Sequence, residues 1–517
     1  MKNKNLFLIG AAALLTTMGA CSLDYEPKDR YTEITEGTDD DTGGSSVALK
    51  DKQAVLDQMQ VINYKWRDGQ EAWYLDKLLL SESHSDNAYA GSPSAETTPF
   101  EVNSIEGSNS NLNRDWNIYM TNVAAANILI ESIDAVPDAS LTASERAMYK
   151  AQAKIFRAMV YFDMVRIWGN VPLITTVAGE ITSETIEEVY PAYFPPQTDE
   201  LTVYQQIERD LLEGVADAPA TVASNKAALS KDVGYAILAK LYAEKPLRDY
   251  EKVIQYADQL AADGYALEPN YGDLFGVVLE KPDEPAGPDN FATAPTKRNS
   301  VESIYEAQFD ATVGAWAPWM FGRTLDNWEF YFNFSKWITP SRDIVKAFTS
   351  ESKTDLRYAE SVVWYSCGWN IYYPANNYAF MYKDRSAYNS IIKYRYADIL
   401  LLKAEALLMG RGDLGGAADI INRTRDRAGL DPLPASTTSS KERLLEAYLK
   451  ERRLELAFEG QRWFDLVRLD KVEEVMNNLK DEGRPPLIYP YDSNSYRLPI
   501  PQNVIDQNPN LVQNPGY

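Results

Sequence analysis

Between Thr142 and Gly169 the apolar side chains Ala147, Ala151, Ile155, Ala158, Phe162 and Val165 recur three or four residues apart. That period places them on one face of a long helix. Thr142 and Glu145, in "TASE", fit a capping box that satisfies two of the free N–H groups at its start, and Gly169 fits its end. Upstream, Trp116, Tyr119, Val123, Ala126, Ile130 and Ile133 give a second stripe of the same period. A chain carrying such stripes is committed to helices that bury one face against neighbours.

Two later stretches read as paired antiparallel helices. "KDVGYAILAKLYAEKPLRDYEKVIQYADQLAADG", opened by Ser230, turns near Pro246, and "YADILLLKAEALLMGRGDLGGAADIINRTRDRAG" repeats the plan around Gly410 to Asp413. Ala239, Ala243, Ala404 and Ala406 leave room for close helix approach. Units of about 34 residues with small residues at the crossings resemble degenerate tetratricopeptide repeats.

The closing stretch "YLKERRLELAFEGQRWFDLVRL", Tyr448 to Leu469, concentrates Lys450, Arg452, Arg453, Arg462 and Arg468 in a chain whose net charge is −24. Glu451, Glu455, Glu459 and Asp465 offset them. The steps Arg452–Glu455, Glu459–Arg462, Arg462–Asp465 and Asp465–Arg468 are each three residues, so partners would share a helix face. The stretch therefore reads as part of the scaffold, with Trp463 in the core and Gly460 marking a break. The overall acidity argues against nucleic acid, whose phosphates need clustered Lys and Arg.

Residues 1–20 carry Lys2 and Lys4, then an apolar run from Leu6 to Leu15 too short to span a bilayer, then small residues, as an export signal does. "MGAC", ending at Cys21, resembles the lipobox of bacterial lipoproteins, which implies lipidation of Cys21 and a membrane anchor. Residues 21–46 are polar and acidic and read as a flexible tether, with a single folded domain over 47–517. Cys367 is the sole other cysteine and His84 the sole histidine, so neither a disulfide framework nor a zinc site is expected. Residues 270–390 differ in character: 21 aromatic residues lie between Tyr305 and Tyr382, among them six of the eleven tryptophans.

"AKIFRAMVYFDMVRIWGNVPLIT" (Ala153 to Thr176), "YRYADILLLKAEAL" (Tyr394 to Leu407), the closing basic stretch, "SLDYEP" after Cys21 and the ending "YRLPIPQNVIDQNPNLVQNPGY" together resemble the SusD/RagB family of surface nutrient-binding lipoproteins. The resemblance implies a mainly α, SusD-like fold: a right-handed stack of four tetratricopeptide-like helix pairs carrying an irregular, loop-rich, partly β ligand-binding half. It implies a lipid-anchored protein, exposed at the surface of the outer membrane, that captures oligosaccharide without cleaving it. The captured glycan would pass to a SusC-like TonB-dependent transporter. The RagB branch offers the alternative of peptide capture. No cofactor is implied.

The family resemblance places ligand contacts in two regions. The first is "LSESHSDNAYAGSPSAETTPF" (Leu80 to Phe100), where His84, Asp86, Asn87 and Tyr89 could hydrogen-bond sugar hydroxyls. The second is "AWAPWMFGRTLDNWEFYF" (Ala315 to Phe332), where Trp316, Trp319 and Trp328 could present flat indole faces to sugar rings. The acidity of the chain favours a neutral glycan over a sulfated or uronic one. An enzyme is not expected: no Gly-rich phosphate loop, nucleophile elbow or metal-spaced histidines are visible, and carboxylates are too abundant for any pair to be informative.

Overall fold

The computed structural model describes residues 49–517, except 180, 311, 313, 316–319, 321–323 and 327–336. Among the described residues the eleven principal helices are α1 (Lys52–Asp68), α2 (Ser110–Ser132), α3 (Ala143–Trp168), α4 (Glu200–Asp217), α5 (Lys231–Leu241), α6 (Tyr250–Ala262), α7 (Arg342–Thr349), α8 (Tyr396–Glu405), α9 (Leu414–Arg427), α10 (Lys441–Glu455) and α11 (Arg462–Arg468). From α1 to α6 each packs on the next, α6 packs on α8, and α8, α9 and α10 pack together, so one helical array resumes across the insertion between α6 and α8.

The expected starts and stops are present. Thr142 Oγ1 accepts the Glu145 N–H at 3.2 Å, the Glu145 carboxylate accepts the Thr142 N–H at 3.0 Å, and α3 ends at Gly169. Thr142→Ala is expected to cost about 1 kcal/mol, read as a lowered denaturant midpoint at unchanged slope. The pair α5–α6 turns through a 3-10 segment at Lys245–Leu247, and α8–α9 through a π-turn at Ala406–Arg411. Close approach of α3, α4 and α5 depends on Gly234: a Cβ there would lie 2.4 Å from a Val215 methyl.

Eight short strands form two-stranded antiparallel pairs, with no larger sheet among the described residues. β1 (Ala88–Ala90) pairs with β5 (Ile338–Pro340), so the loop after α1 is held against the middle of the insertion. β2 (Val277–Leu279) and β3 (Ala292–Pro295) form a hairpin after α6. β4 (Ser303–Ala307) pairs with β8 (Ile391–Arg395), joining the flanks of the insertion beside α8, and β6 (Val362–Tyr365) and β7 (Tyr378–Met381) form an aromatic hairpin within it.

The basic stretch divides between α10 and α11. The chain reverses at Leu456–Gln461, where Phe458 and Gly460 take φ of 61° and 71°. Glycine adopts that left-handed region freely. The reversal corrects the expected ion pairs, of which Asp465–Arg468 forms at 2.9 Å. Arg452 instead meets Asp465 and Asp398, and Glu455 meets Arg357, Arg395 and Arg427. Trp463 is in the core, 1 % exposed.

Candidate functional site

The first expected ligand region lies inside the molecule. His84, Asp86, Asn87 and Tyr89 are each at most 2 % exposed. Two π-turns, Glu71–Leu75 and Leu79–Ser83, carry the chain from α1 into this loop. There Glu82 accepts from Asn87 Nδ2 at 2.7 Å and from the Phe458 and Gly460 amides. Asp86 is gripped by Arg462 at 2.8 and 2.9 Å and by Arg453 at 3.2 Å, and Arg453 Nε also donates to Asn87 Oδ1 at 2.7 Å. Burial alone would raise the Asp86 pKa, but these two guanidiniums outweigh it and hold the carboxyl well below the usual range.

His84 Nδ1 bonds the Phe100 carbonyl at 2.8 Å, its ring lies 4.1 Å from that of Trp463, and burial lowers its pKa to about 4, so it is neutral. Tyr89 stacks on Tyr372 at 4.5 Å, and its hydroxyl donates to Asp481. The expectation that these four side chains stand open to ligand is corrected: all are buried, Asp86 and Asn87 under Arg453 and Arg462 of the basic stretch, Tyr89 against Asp481 and Tyr372, and His84 against Trp463, with His84 Nε2 left without a hydrogen-bond partner among the described residues.

In the second region, Trp316, Trp319 and Trp328 lie outside the described residues. The anchors of their segment are clear. The Ala315 amide donates to the Ala387 carbonyl at 3.1 Å, the Leu325 amide to the Arg385 carbonyl at 2.7 Å, and Asp326 accepts from Ser386 Oγ at 2.7 Å. At its end the Trp337 carbonyl accepts from the Gly91 amide at 2.9 Å and Trp337 Nε1 donates to Asp76 Oδ1 at 3.1 Å. Trp337 thus shares Asp76 with Arg114, in the first half of α2.

That part of α2 carries polar groups not matched by internal partners. Arg114 reaches Asp76, and its Nη2 donates to Asn111 Oδ1 at 3.3 Å. Burial, then the neighbouring Asp76 charge, raises the Asp115 pKa well above the ordinary value. Among the described residues, Asn111 Nδ2, Asn113 Oδ1 and Asn117 Oδ1 have no hydrogen-bond partner, and Arg114 Nε and Asp115 Oδ1 face each other at 3.9 Å without one. Buried polar atoms are normally paired, so such a concentration on one stretch of helix marks spare bonding capacity for a ligand. With Arg114 and Asp76 paired, the cluster offers both donors and acceptors, a match for hydroxyl groups.

The sequence reading missed these residues. Asn113, Arg114 and Asn117 lie away from the Trp116–Tyr119 stripe, where polar side chains read as an ordinary solvated face, and Asp76 stands 38 residues away in sequence from Arg114. A separate cavity near Lys77, Lys383, Lys393 and Glu459 has a volume of about 50 Å³, enough for water but far below the roughly 300 Å³ at which ligand pockets begin.

Two family models match this chain. Residues 36–243 match one described as "Starch-binding associating with outer membrane", and residues 368–517 match the SusD family. The chain belongs to the SusD/RagB family. The two matched stretches leave 244–367 of this SusD-like protein between them, which includes the segment Ala315 to Phe332. A SusD-like protein, P38, of Formosa agariphila is 27 % identical over 479 residues, spanning 87 % of this chain and 88 % of its own. Among solved structures, a SusD-like protein from Bacteroides fragilis superposes with a TM-score of 0.70 at 21 % identity, covering 95 % of this chain and all of that one. Surface glycan-binding protein A from Bacteroides thetaiotaomicron, solved in complex with laminarihexaose, gives 0.67 at 20 % identity, covering 90 % of this chain and all of its own. These likenesses establish the mainly helical SusD-like fold.

Proposed function

We propose that this protein captures oligosaccharide at the cell surface without cleaving it and delivers it to a SusC-like TonB-dependent transporter in the outer membrane, held there by lipid on Cys21. Family membership supports the reading, as does the glycan bound to a protein of the same fold. On this chain the reading is supported by the polar face of α2, whose Arg114 bonds Asp76, the residue that also accepts from Trp337 at the end of the tryptophan-rich segment. Hydroxyls would bond Asn113, Arg114 and Asn117 while Trp316, Trp319 or Trp328 supplies an apolar platform. His84, Asp86, Asn87 and Tyr89 support the neighbouring loop from within. Among the described residues no helix is long and apolar enough to cross a membrane.

Calorimetry and affinity electrophoresis against starch, laminarin, a uronic-acid polysaccharide and a peptide digest test the reading. Binding to a neutral glycan is expected, weakened about tenfold by Trp328→Ala and by Asn117→Ala, a loss of about 1.4 kcal/mol each, with the melting temperature unchanged. Binding confined to the peptides would replace the glycan reading with peptide capture.

A further inference from the structure

Between α3 and α4 the chain makes a long excursion pinched at its neck: Val171 and Thr198 form an antiparallel bridge, with the Thr198 amide donating to the Val171 carbonyl at 3.0 Å. Near the neck, Asn127 Nδ2 and Arg157 Nη1 hold the Ile174 and Thr175 carbonyls at 3.0 and 3.1 Å. At the tip, a helical turn (Ile186–Val189) and a 3-10 turn (Tyr190–Tyr193) follow in series. Thr182 and Thr185 bond each other and the backbone there, and Tyr193 donates to the Gly179 carbonyl at 3.0 Å. The excursion therefore has a defined shape of its own.

Its side chains point the wrong way for an isolated molecule. Val177, Ile181, Ile186 and Tyr190 are exposed, Ile186 by 46 % and Tyr190 by 50 %, with the Tyr190 ring 4.8 Å from that of Phe194. The C-terminal tail adds Val512, 71 % exposed, tied alongside by its amide to Gln197 Oε1 at 2.9 Å and by Asn510 to the Phe194 carbonyl at 2.7 Å. Exposed apolar groups gathered in this way mark an interaction surface.

The charges around them choose the partner. From Val171 to Glu208 there is no Lys, Arg or His, against seven acidic residues, and Glu184, Glu187 and Glu188 at the tip are exposed. Such a surface repels anionic lipid headgroups, and a second copy would bring acidic tips together in a molecule already at −24. An apolar, basic-rimmed surface on a folded protein is complementary to it.

We propose that the exposed Val177, Ile181, Ile186 and Tyr190, with Val512 beside them, are the docking surface for the transporter, through an apolar patch rimmed by Lys and Arg on that partner; this rests on the delivery reading above. The test uses the tagged, lipidated full chain and a SusC-like TonB-dependent transporter of the same organism, co-expressed and co-purified in detergent at low and high salt. Ile186→Ser/Tyr190→Ser is expected to lower transporter recovery at least tenfold, with melting temperature and glycan affinity unchanged. Glu187→Lys/Glu188→Lys is expected to lower it at low salt. Wild-type recovery by both variants overturns the docking surface and leaves delivery standing, whereas no recovery by the unaltered protein overturns both. Binding to phosphatidylglycerol vesicles or self-association in sedimentation, lost in Ile186→Ser/Tyr190→Ser, would overturn the proposal by assigning the surface to membrane or to a second copy.

Discussion

Arg395→Ala is expected to destabilise the protein by about 3–5 kcal/mol, a large share of the stability of an ordinary domain. Arg395 is 1 % exposed and bonds three carboxylates: Glu302, Glu455 and Glu459, each at 2.6 Å. These belong to a buried lattice in which Arg427 shares Glu302 and Glu455, Lys383 shares Glu459, and Arg357 joins Glu455 to Glu451 and Asp355. Removing one cation leaves the anions under-compensated where water cannot reach them, and that desolvation penalty dominates the loss. The control is Arg411→Ala. Arg411 and its partner Glu251 are 47 % and 63 % exposed, where water and salt screen the pair, and the change should leave the denaturant midpoint nearly unmoved. Denaturant unfolding of both variants checks the contrast; equal losses would show that the lattice contributes no more than a surface pair.

The second large effect is a loss of stability in acid. Burial by itself would raise the pKa values of Asp163, Asp398, Glu455 and Asp86, but their cationic partners outweigh it and hold all four well below the ordinary carboxylate range. Asp163 alone receives Lys77, Lys393 and Arg166. A group whose pKa is depressed on folding contributes stability that is fully present above its unfolded pKa near 4 and is lost as pH falls toward its folded pKa. One such group is worth about 2–3 kcal/mol. Asp115, Asp76 and Glu82 act with the opposite sign. Burial raises their pKa values, so the folded state takes up protons more readily and gains stability as pH falls toward about 4. The denaturant midpoint is therefore expected to be greatest on the mildly acidic side of neutrality and to fall steeply below about pH 4. A midpoint flat from pH 6 to 3 would contradict the assignment.

The helical scaffold was legible because its signals are local. The capping pair Thr142 and Glu145 and the helix end at Gly169 each depend on residues within one or two turns, and all are realised. So was the core position of Trp463. The ligand half was less legible. His84, Asp86, Asn87 and Tyr89 are polar residues in a loop, which on composition alone read as exposed; they are buried by residues distant in sequence, Asp86 and Asn87 by Arg453 and Arg462, His84 by Trp463 and Tyr491, and Tyr89 by Tyr372 and Asp481. The polar face of α2 carried no distinguishing pattern, since the same residues on a solvated helix would look identical.

The basic stretch separates what each level decides. By itself the sequence determined the helices, the break at Gly460 and the presence of enough acid to balance the base, because helical period, turn conformation and charge count are properties of neighbouring residues. Which acid meets which base was decided by tertiary structure. The reversal at Leu456–Gln461 rotates α11 away from the line of α10, so charges close in sequence part company and find partners on other elements. Coulomb attraction follows distance in space, and no local rule in the chain specifies that distance.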